Sequence, residues 1–444
     1  MLSIMQPMQS EVAVKPSAVE AMNGGGERAG GYIAGALVVV GVSLACMLGV
    51  IGLLFRPSAD PGIRVWMLNH TPDQVAIINP FDGVVEKKFL VADGLKELAF
   101  SRDFDKAYIA NVVDVSNRIT VIDTTTYLEE EIIEVDGVPQ GIGVFPDNRK
   151  LAVILGSKTD FMAGGFDVID LYEQSKADPA KKKKLYRERG LALTHKIAVS
   201  DDGEKIYCID AKKPLINIFS LSQKKKIGEV DLHGAPEEML YPVAGRFYNV
   251  SVLQHLAIYQ LDKITDQVVA AYIYELPDLE RTFANGKLRH MAVGSKGRYL
   301  YGTCYEKKSV AIWDVGNPRY RVDWREVPTS DDGRMYRFQV PHYLPITRFR
   351  LKGGYNPNLR YTPGGQHLAV DPLDDYLFVV DEDGALYIYE LRDVRRAEER
   401  LLNAPDPLPV HEPWKLVTDI EGDMRDLKVS RPAVRLAGKT GDGA

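Results

Sequence analysis

The sequence predicts an all-β domain of seven repeats of one four-stranded unit, carried behind a single apolar helix. Two internal rulers predict the repeats. The first is a four-residue signature of a small or polar residue, Val or Ile, an apolar residue and a polar terminator. It reads AIIN to Asn79, TVID to Asp123, DVID to Asp170, NIFS to Ser220, AIYQ to Gln260, AIWD to Asp314 and YIYE to Glu390. The second is the run that opens each unit: KELAF from Lys96, QGIGV from Gln140, HKIAV from His195, EEMLY from Glu237, RHMAV from Arg289, QHLAV from Gln366 and RDLKV from Arg425. Both count seven. A unit this short cannot bury both faces of its own small sheet, so neighbouring units must cover them.

The helix rests on a third observation. Tyr32 to Phe55 (YIAGALVVVGVSLACMLGVIGLLF) is apolar and uncharged, flanked by Arg28 and Arg56. Its 24 residues are enough to cross the roughly 30 Å hydrocarbon core as a helix. The run exceeds a signal-peptide core and no A-x-A-like site follows it, so it reads as a permanent anchor. Residues 1–31 are rich in Ser, Gly, Ala and Glu and read as a disordered tail, and 56–63 as a short linker with two prolines. Lys15 and Arg28 on one side balance Arg56 and Arg64 on the other, so basic residues alone do not orient the anchor.

The unit itself is plainest from Lys106. AYIAN, RITVID and EEEIIEV are β-rich runs separated by polar turns, and the β-branched and aromatic residues suit a pleated, half-buried surface. AYIAN followed by ITVIDTTT, with VPQGIGVFPDNRKLAV after it, resembles the YVTN-type β-propeller repeat. That resemblance covers roughly Arg64 to Ser430. It implies a seven-bladed β-propeller, each blade four antiparallel strands around a central channel. For function it implies little, because the same propeller serves dehydrogenase subunits, lactonases, haem carriers and binding scaffolds. No functional residue carries over from any one member.

RVWMLNH, QVAIINP and GVVEKKFLVA, the first three strands, have no opening strand before them, and the last, RDLKVS, has no strands after it. Together they make one blade, so the domain is expected to span 64–430, with 431–444 a disordered tail. Three insertions interrupt the repeats. One, Tyr172 to Ala180, precedes KKKKLYRER in blade two; another, Arg392 to Leu402, has helical composition. The longest, Asn317 to Gly365, is expected to join the fourth strand of blade five to the opening strand of blade six. It carries Arg334, Arg337, Arg348 and Arg350 among Trp324, Tyr336 and other aromatics, a mixture enriched at binding surfaces.

Net charge is −6 and the pI about 5.9, which argues against a general nucleic-acid binder. The terminal aspartates Asp123, Asp170 and Asp314 occupy equivalent turns of different blades and read as turn caps. His195, His290 and His367 begin opening strands, where side chains from all blades converge on the channel rim, with Arg289 and Arg425 beside them. Neutral imidazoles suit zinc, copper or iron, and converging histidines also suit haem, yet no C-x-x-C-H or HExxH accompanies them. No cofactor is therefore assigned. Cys208 and Cys304 fall in non-adjacent blades and read as buried free thiols. Lysine runs 181–184 and 224–226 lie at outer strands, where they guard an edge or, alternatively, face anionic lipid.

The expected function is that of a membrane-anchored scaffold or accessory subunit. It would hold a protein partner with an acidic surface, in the periplasm, over the rim and the long insertion. The alternative is a redox, dehydrogenase-type or lactonase-type subunit using the histidine rim.

Overall fold

The computed structural model describes residues 62–430, apart from 71–72, 91–93, 113–116, 157–162, 180, 193–195, 211–212, 243–244, 253–256, 274–287, 295–296, 305–308, 317–320, 323–325, 329–334, 338–339, 344–346, 351–366, 381–385, 392–409, 412–414 and 418–423. The expected anchor 32–55, the expected tails and most of the expected linker lie outside the described residues. So does the expected helical segment 392–402.

The strands pair in chain order. Blade one is Leu95–Phe100, Lys106–Val112, Asn117–Asp123 and Glu129–Glu134. Blade two is Val138–Val144, Lys150–Gly156, Ala163–Gln174 and Lys182–Ala192. Blade three is Ile197–Val199, Lys205–Ile209, Leu215–Ser220 and Lys225–Asp231; blade four is Pro236–Leu240, Phe247–Val252, Ala257–Asp262 and Val268–Ile273. Blades five and six open with Leu288–Val293 and His367–Val370. The seventh sheet holds Arg64–His70, Asp73–Asn79 and Val84–Leu90, and its innermost strand is Met424–Ser430, antiparallel to Arg64–His70. The molecule is an all-β seven-bladed propeller.

Burial explains the composition of each strand. Middle strands are covered on both faces, so they read as continuous apolar runs: in Leu151–Leu155 every residue is buried. Outer strands alternate, as in Val84–Leu90, where only Val85 and Phe89 turn partly inward. Seven apolar clusters result among the described residues, each drawing side chains from two neighbouring blades. Burying one large aliphatic or aromatic side chain contributes about 1.5–3 kcal/mol, so each blade is held chiefly by what its neighbours cover. Trp66 shows this at the closure. It is fully buried, donates Nε1–H to Ser430 Oγ at 2.8 Å, and packs edge-on to Phe89, Phe100 and Tyr127.

Turns are capped by the terminal aspartates. Asp123 Oδ1 accepts from the Thr125 and Thr126 amides at 2.9 and 2.6 Å, Asp170 from Tyr172 and Glu173, and Asp314 from Gly316. A short carboxylate two residues before a turn amide is well placed for this. In blade four the capping residue is Asp262, which takes Ile264 and Thr265, and not Gln260. The strand simply runs two residues past the AIYQ signature.

The long insertion leaves from a different point than the sequence suggests. The third strand of blade five, Ser309–Asp314, pairs with Thr347–Arg350, so the fourth strand lies inside the insertion. The intervening chain first visits blade four. His342–Tyr343 adds in parallel to Val268–Ile273, and Arg321–Val322 pairs outside it. Glu326–Pro328 and Met335–Arg337 form a separate hairpin. Blade six repeats the device: between Leu386–Glu390 and its fourth strand Lys415–Val417, the segment Val410–His411 adds in parallel to Thr347–Arg350 of blade five. A connection from third to fourth strand opens on the face opposite the starts of the opening strands. The bulk of the insertion therefore does not leave from beside His290 and His367. TRFR, four residues of mixed polarity, gave no apolar run to mark it as a strand.

The lysine run of blade two is matched by carboxylates. Lys181 reaches Asp136 at 3.0 Å, Lys182 Glu131 at 2.5 Å and Lys183 Glu173 at 2.6 Å, while Lys184 also binds Asp136. Arg187 and Arg189 reach the buried Asp167 at 3.2 and 2.8 Å. Lys226 pairs with Glu229 at 2.6 Å. This pattern favours edge protection over an uncompensated basic patch. Cys208 is a buried free thiol, and burial pushes its pKa up.

Candidate functional site at the channel mouth

The opening strands carry a shared irregularity. In blades one, two, four, five and seven the register shifts early in the strand, between Leu95 and Glu97, Pro139 and Gly141, Pro236 and Glu238, Leu288 and Met291, and Met424 and Asp426. A bulge there breaks the ladder and re-aims the side chains next to it. Just past the bulge the sequence aligns Glu97, Gly141, Lys196, Glu238, His290, His367 and Asp426, one from each blade.

Two members of this column clasp the next blade. Glu97 Oε2 accepts the Ile142 amide at 2.9 Å, and Glu238 Oε2 accepts the Met291 amide at 2.7 Å. Each takes a backbone donor of the neighbouring opening strand. Lys196 reaches back to Glu97 Oε1 at 3.2 Å across blade two, whose member of the column, Gly141, has no side chain to stand in the way.

Blades four to six form the other half of the mouth. His290 Nδ1 lies 3.6 Å from Glu238 Oε2, and the His290 and His367 rings stand 4.1 Å apart at 34°. The Thr303 hydroxyl sits 3.3 Å from both the amide nitrogen and the carbonyl oxygen of His290. Burial pushes the Glu238 carboxyl up, but His290 together with the charges of Lys196 and Lys428 outweighs it and holds the group below its ordinary value. Lys428 stands two residues on from Asp426, where other blades have Ala99, Gly143, Ala198, Leu240, Ala292 and Ala369.

Of the residues picked from the sequence, the fold brings His290 and His367 together. His195, Trp324 and Arg334 lie outside the described residues. Arg289 and Arg425 are placed on the opening strands of blades five and seven, Tyr336 and Arg337 on the separate hairpin, and Arg348 and Arg350 on the fourth strand of blade five. Glu97, Lys196, Glu238 and Lys428 join the histidines. The column alignment was the signal for the first three, and the one lysine in a column otherwise of Ala, Gly and Leu for the fourth. Among the described residues, no three His, Cys, Asp or Glu groups converge to hold a metal ion. The mouth offers imidazole nitrogens, ammonium groups and carboxylates held by neighbouring backbone amides, groups that can donate and accept hydrogen bonds.

These features define a propeller whose channel mouth is polar and cross-linked between blades. The fold is similar to that of a functionally unknown protein from Desulfotomaculum acetoxidans, at a TM-score of 0.54 and 12% identity over 83% of this chain and 99% of that one. It is also similar to hydrazine synthase from Kuenenia stuttgartiensis, at a TM-score of 0.51 and 14% identity over 73% of this chain and 91% of that one. At such identities the likeness concerns the fold. No protein-family model matches the chain, and no curated protein is similar to it in sequence.

Proposed function

We propose that this chain is a YVTN-type propeller, anchored through 32–55, that works by holding a protein partner at its channel mouth outside the cytoplasm. One observation carries the reading. The adjacent His290 and His367, with Glu238 beside His290 and with Lys196 and Lys428 near that carboxylate, gather polar groups from five positions of the chain onto one rim. Rigid, pre-aligned donors bind with little ordering cost. The ammonium groups and imidazoles suit an acidic patch on the partner.

The test is cross-linking on spheroplasts with a membrane-impermeant reagent, comparing the full chain with His290→Ala/His367→Ala. A second variant replaces the hairpin 326–337 with Gly-Ser and leaves the blade strands in place. The expected result is a cross-linked partner that the double alanine variant loses by about tenfold, the equivalent of one charge-assisted contact. Capture only after lysis would overturn the placement, and capture unchanged by the double alanine variant would overturn the mouth as the binding surface.

A further inference from the structure

Blades one and three begin their second strands alike. Lys106 and Tyr108 in one correspond to Lys205 and Tyr207 in the other. The preceding turns match too: Ser101 to Asp105 against Ser200 to Glu204, with Phe104 and Gly203 both at positive φ. What meets the pair differs.

Between blades three and four, Asp266 from the blade-four turn accepts from Lys205 Nζ at 2.7 Å and from the Tyr207 hydroxyl at 3.0 Å. Blade two has no such turn, because its third strand runs to Gln174 and the chain returns only at Lys182. Lys106 binds Glu130 of its own blade at 2.8 Å instead. The Tyr108 hydroxyl makes no hydrogen bond among the described residues, although the residue is only 2% exposed. Burial raises its pKa, so it remains a neutral hydroxyl at any physiological pH.

That hydroxyl opens into a cleft of about 290 Å³ between blades one and two. Val121 and Leu171 give it an apolar floor, and Tyr172, 67% exposed, an aromatic wall. Asp103, Asp105 and Glu131 line it beside Lys106; Glu130 matches Lys106 at 2.8 Å and Lys182 matches Glu131 at 2.5 Å, while Asp103 accepts from the Asp105 amide at 3.3 Å and from Asn148 Nδ2 at 2.9 Å. These carboxylates do not converge as a metal shell would. The Tyr172 ring already carries one cation, the Arg149 guanidinium 5.4 Å from its centroid. Carboxylates above an apolar floor, beside an aromatic face, suit a charged nitrogen on a hydrocarbon stem. The volume is at the lower end for ligand pockets and admits a guest of side-chain size.

We infer that this cleft binds an organic cation, an ammonium or guanidinium group on a short stem, with Tyr108 and Asp103 as polar contacts and Tyr172 along the stem. It opens where first strands turn into second, on the face away from the histidine mouth. It is therefore independent of the partner-binding reading, and failure of either leaves the other standing.

The experiment is titration calorimetry of the purified full-length chain with agmatine, with N-acetyl-arginine methylamide, and with acetate as the opposing charge. Agmatine should bind with a millimolar or tighter constant. Asp103→Asn should weaken it about tenfold, as loss of one charge-assisted bond does. Tyr108→Phe should weaken it several-fold with an unchanged melting temperature, while Tyr207→Phe should leave binding intact. Tyr172→Ala, at an exposed position, provides a variant that does not disturb the core. Binding of both cations points to a side chain of a bound protein as the source, and of agmatine alone to a free amine; either supports the shared chemistry. Binding of acetate but neither cation, or agmatine binding that none of the cleft variants alters, overturns it.

Discussion

Blades one and three differ from blades five and six in how they treat their outer edges. In blade three the chain passes from third to fourth strand through the turn 221–224 and is finished. In blades five and six it leaves at that point, lays a parallel strand on the blade before, and only then returns. Blades four and five, and five and six, are thereby tied by main-chain hydrogen bonds. The interfaces of blades one to three rest on side chains and clasps such as Glu97 to Ile142. Covering an edge also removes a row of unpaired backbone groups. One insertion thus supplies both a seal and a tie.

The largest test of this difference uses the two buried tryptophans. Trp66→Ala empties the contact of blades seven and one, and Trp313→Ala that of blades four and five, where Trp313 Nε1–H donates to Ile273 O at 3.2 Å. Each should cost about 3–5 kcal/mol in urea unfolding. Hydrogen exchange should rise more across blades seven and one after the first than across blades four and five after the second. Equal increases would mean that the added strands do not tie the blades.

A smaller effect tests the tie directly. His342 is buried, Tyr343 packs on Tyr272 at 5.5 Å, and the Ala271 amide donates to Pro341 O at 2.9 Å. His342→Ala/Tyr343→Ala should cost about 2 kcal/mol, with faster exchange confined to 268–273. Unchanged exchange there would show the strand to be ornamental.

The smallest concerns the untied side. Lys184, Lys181 and Arg187 hold Asp136 well below its ordinary carboxylate range, against some burial. The folded pKa lies below the unfolded one, so the stabilisation is present above about pH 4 and is lost as pH falls through the folded value. Because the group is partly solvated, it contributes about 1 kcal/mol at most. Asp136→Asn should lower the melting temperature slightly at pH 7 and by less at pH 3. An equal drop at both would sink the charge explanation.

The repeats were legible because middle strands buried on both faces must be apolar, and seven such runs, matched by seven opening runs, leave few alternatives. The seven-bladed ring follows from that. The fourth strand of blade five was not legible, since TRFR is four residues of mixed polarity with no apolar run, set 33 positions past the end of the third strand by subtraction of Asp314 from Thr347. Nor was the bulge that turns Glu97 and Glu238 toward a neighbour's amide, because the choice between a carboxylate in solvent and one on a backbone donor is made by packing. His290 and His367 showed their shared column in the sequence; their 4.1 Å approach comes from adjacent blades, which no local pattern encodes.

The strand that completes the seventh sheet is made last. Its partners are finished at Leu90, and Met424 comes 334 residues later, by subtraction of the two positions. At roughly 5–20 residues per second that is about 20–70 s of synthesis. Throughout that interval Arg64–His70 has an empty side, and Trp66 lacks Ser430. A nascent chain can assemble blades one to six in order, but the first sheet begun remains a sticky edge until the end. A chain that lacks the final strand therefore has an open ring, with one side of Arg64–His70 unpaired.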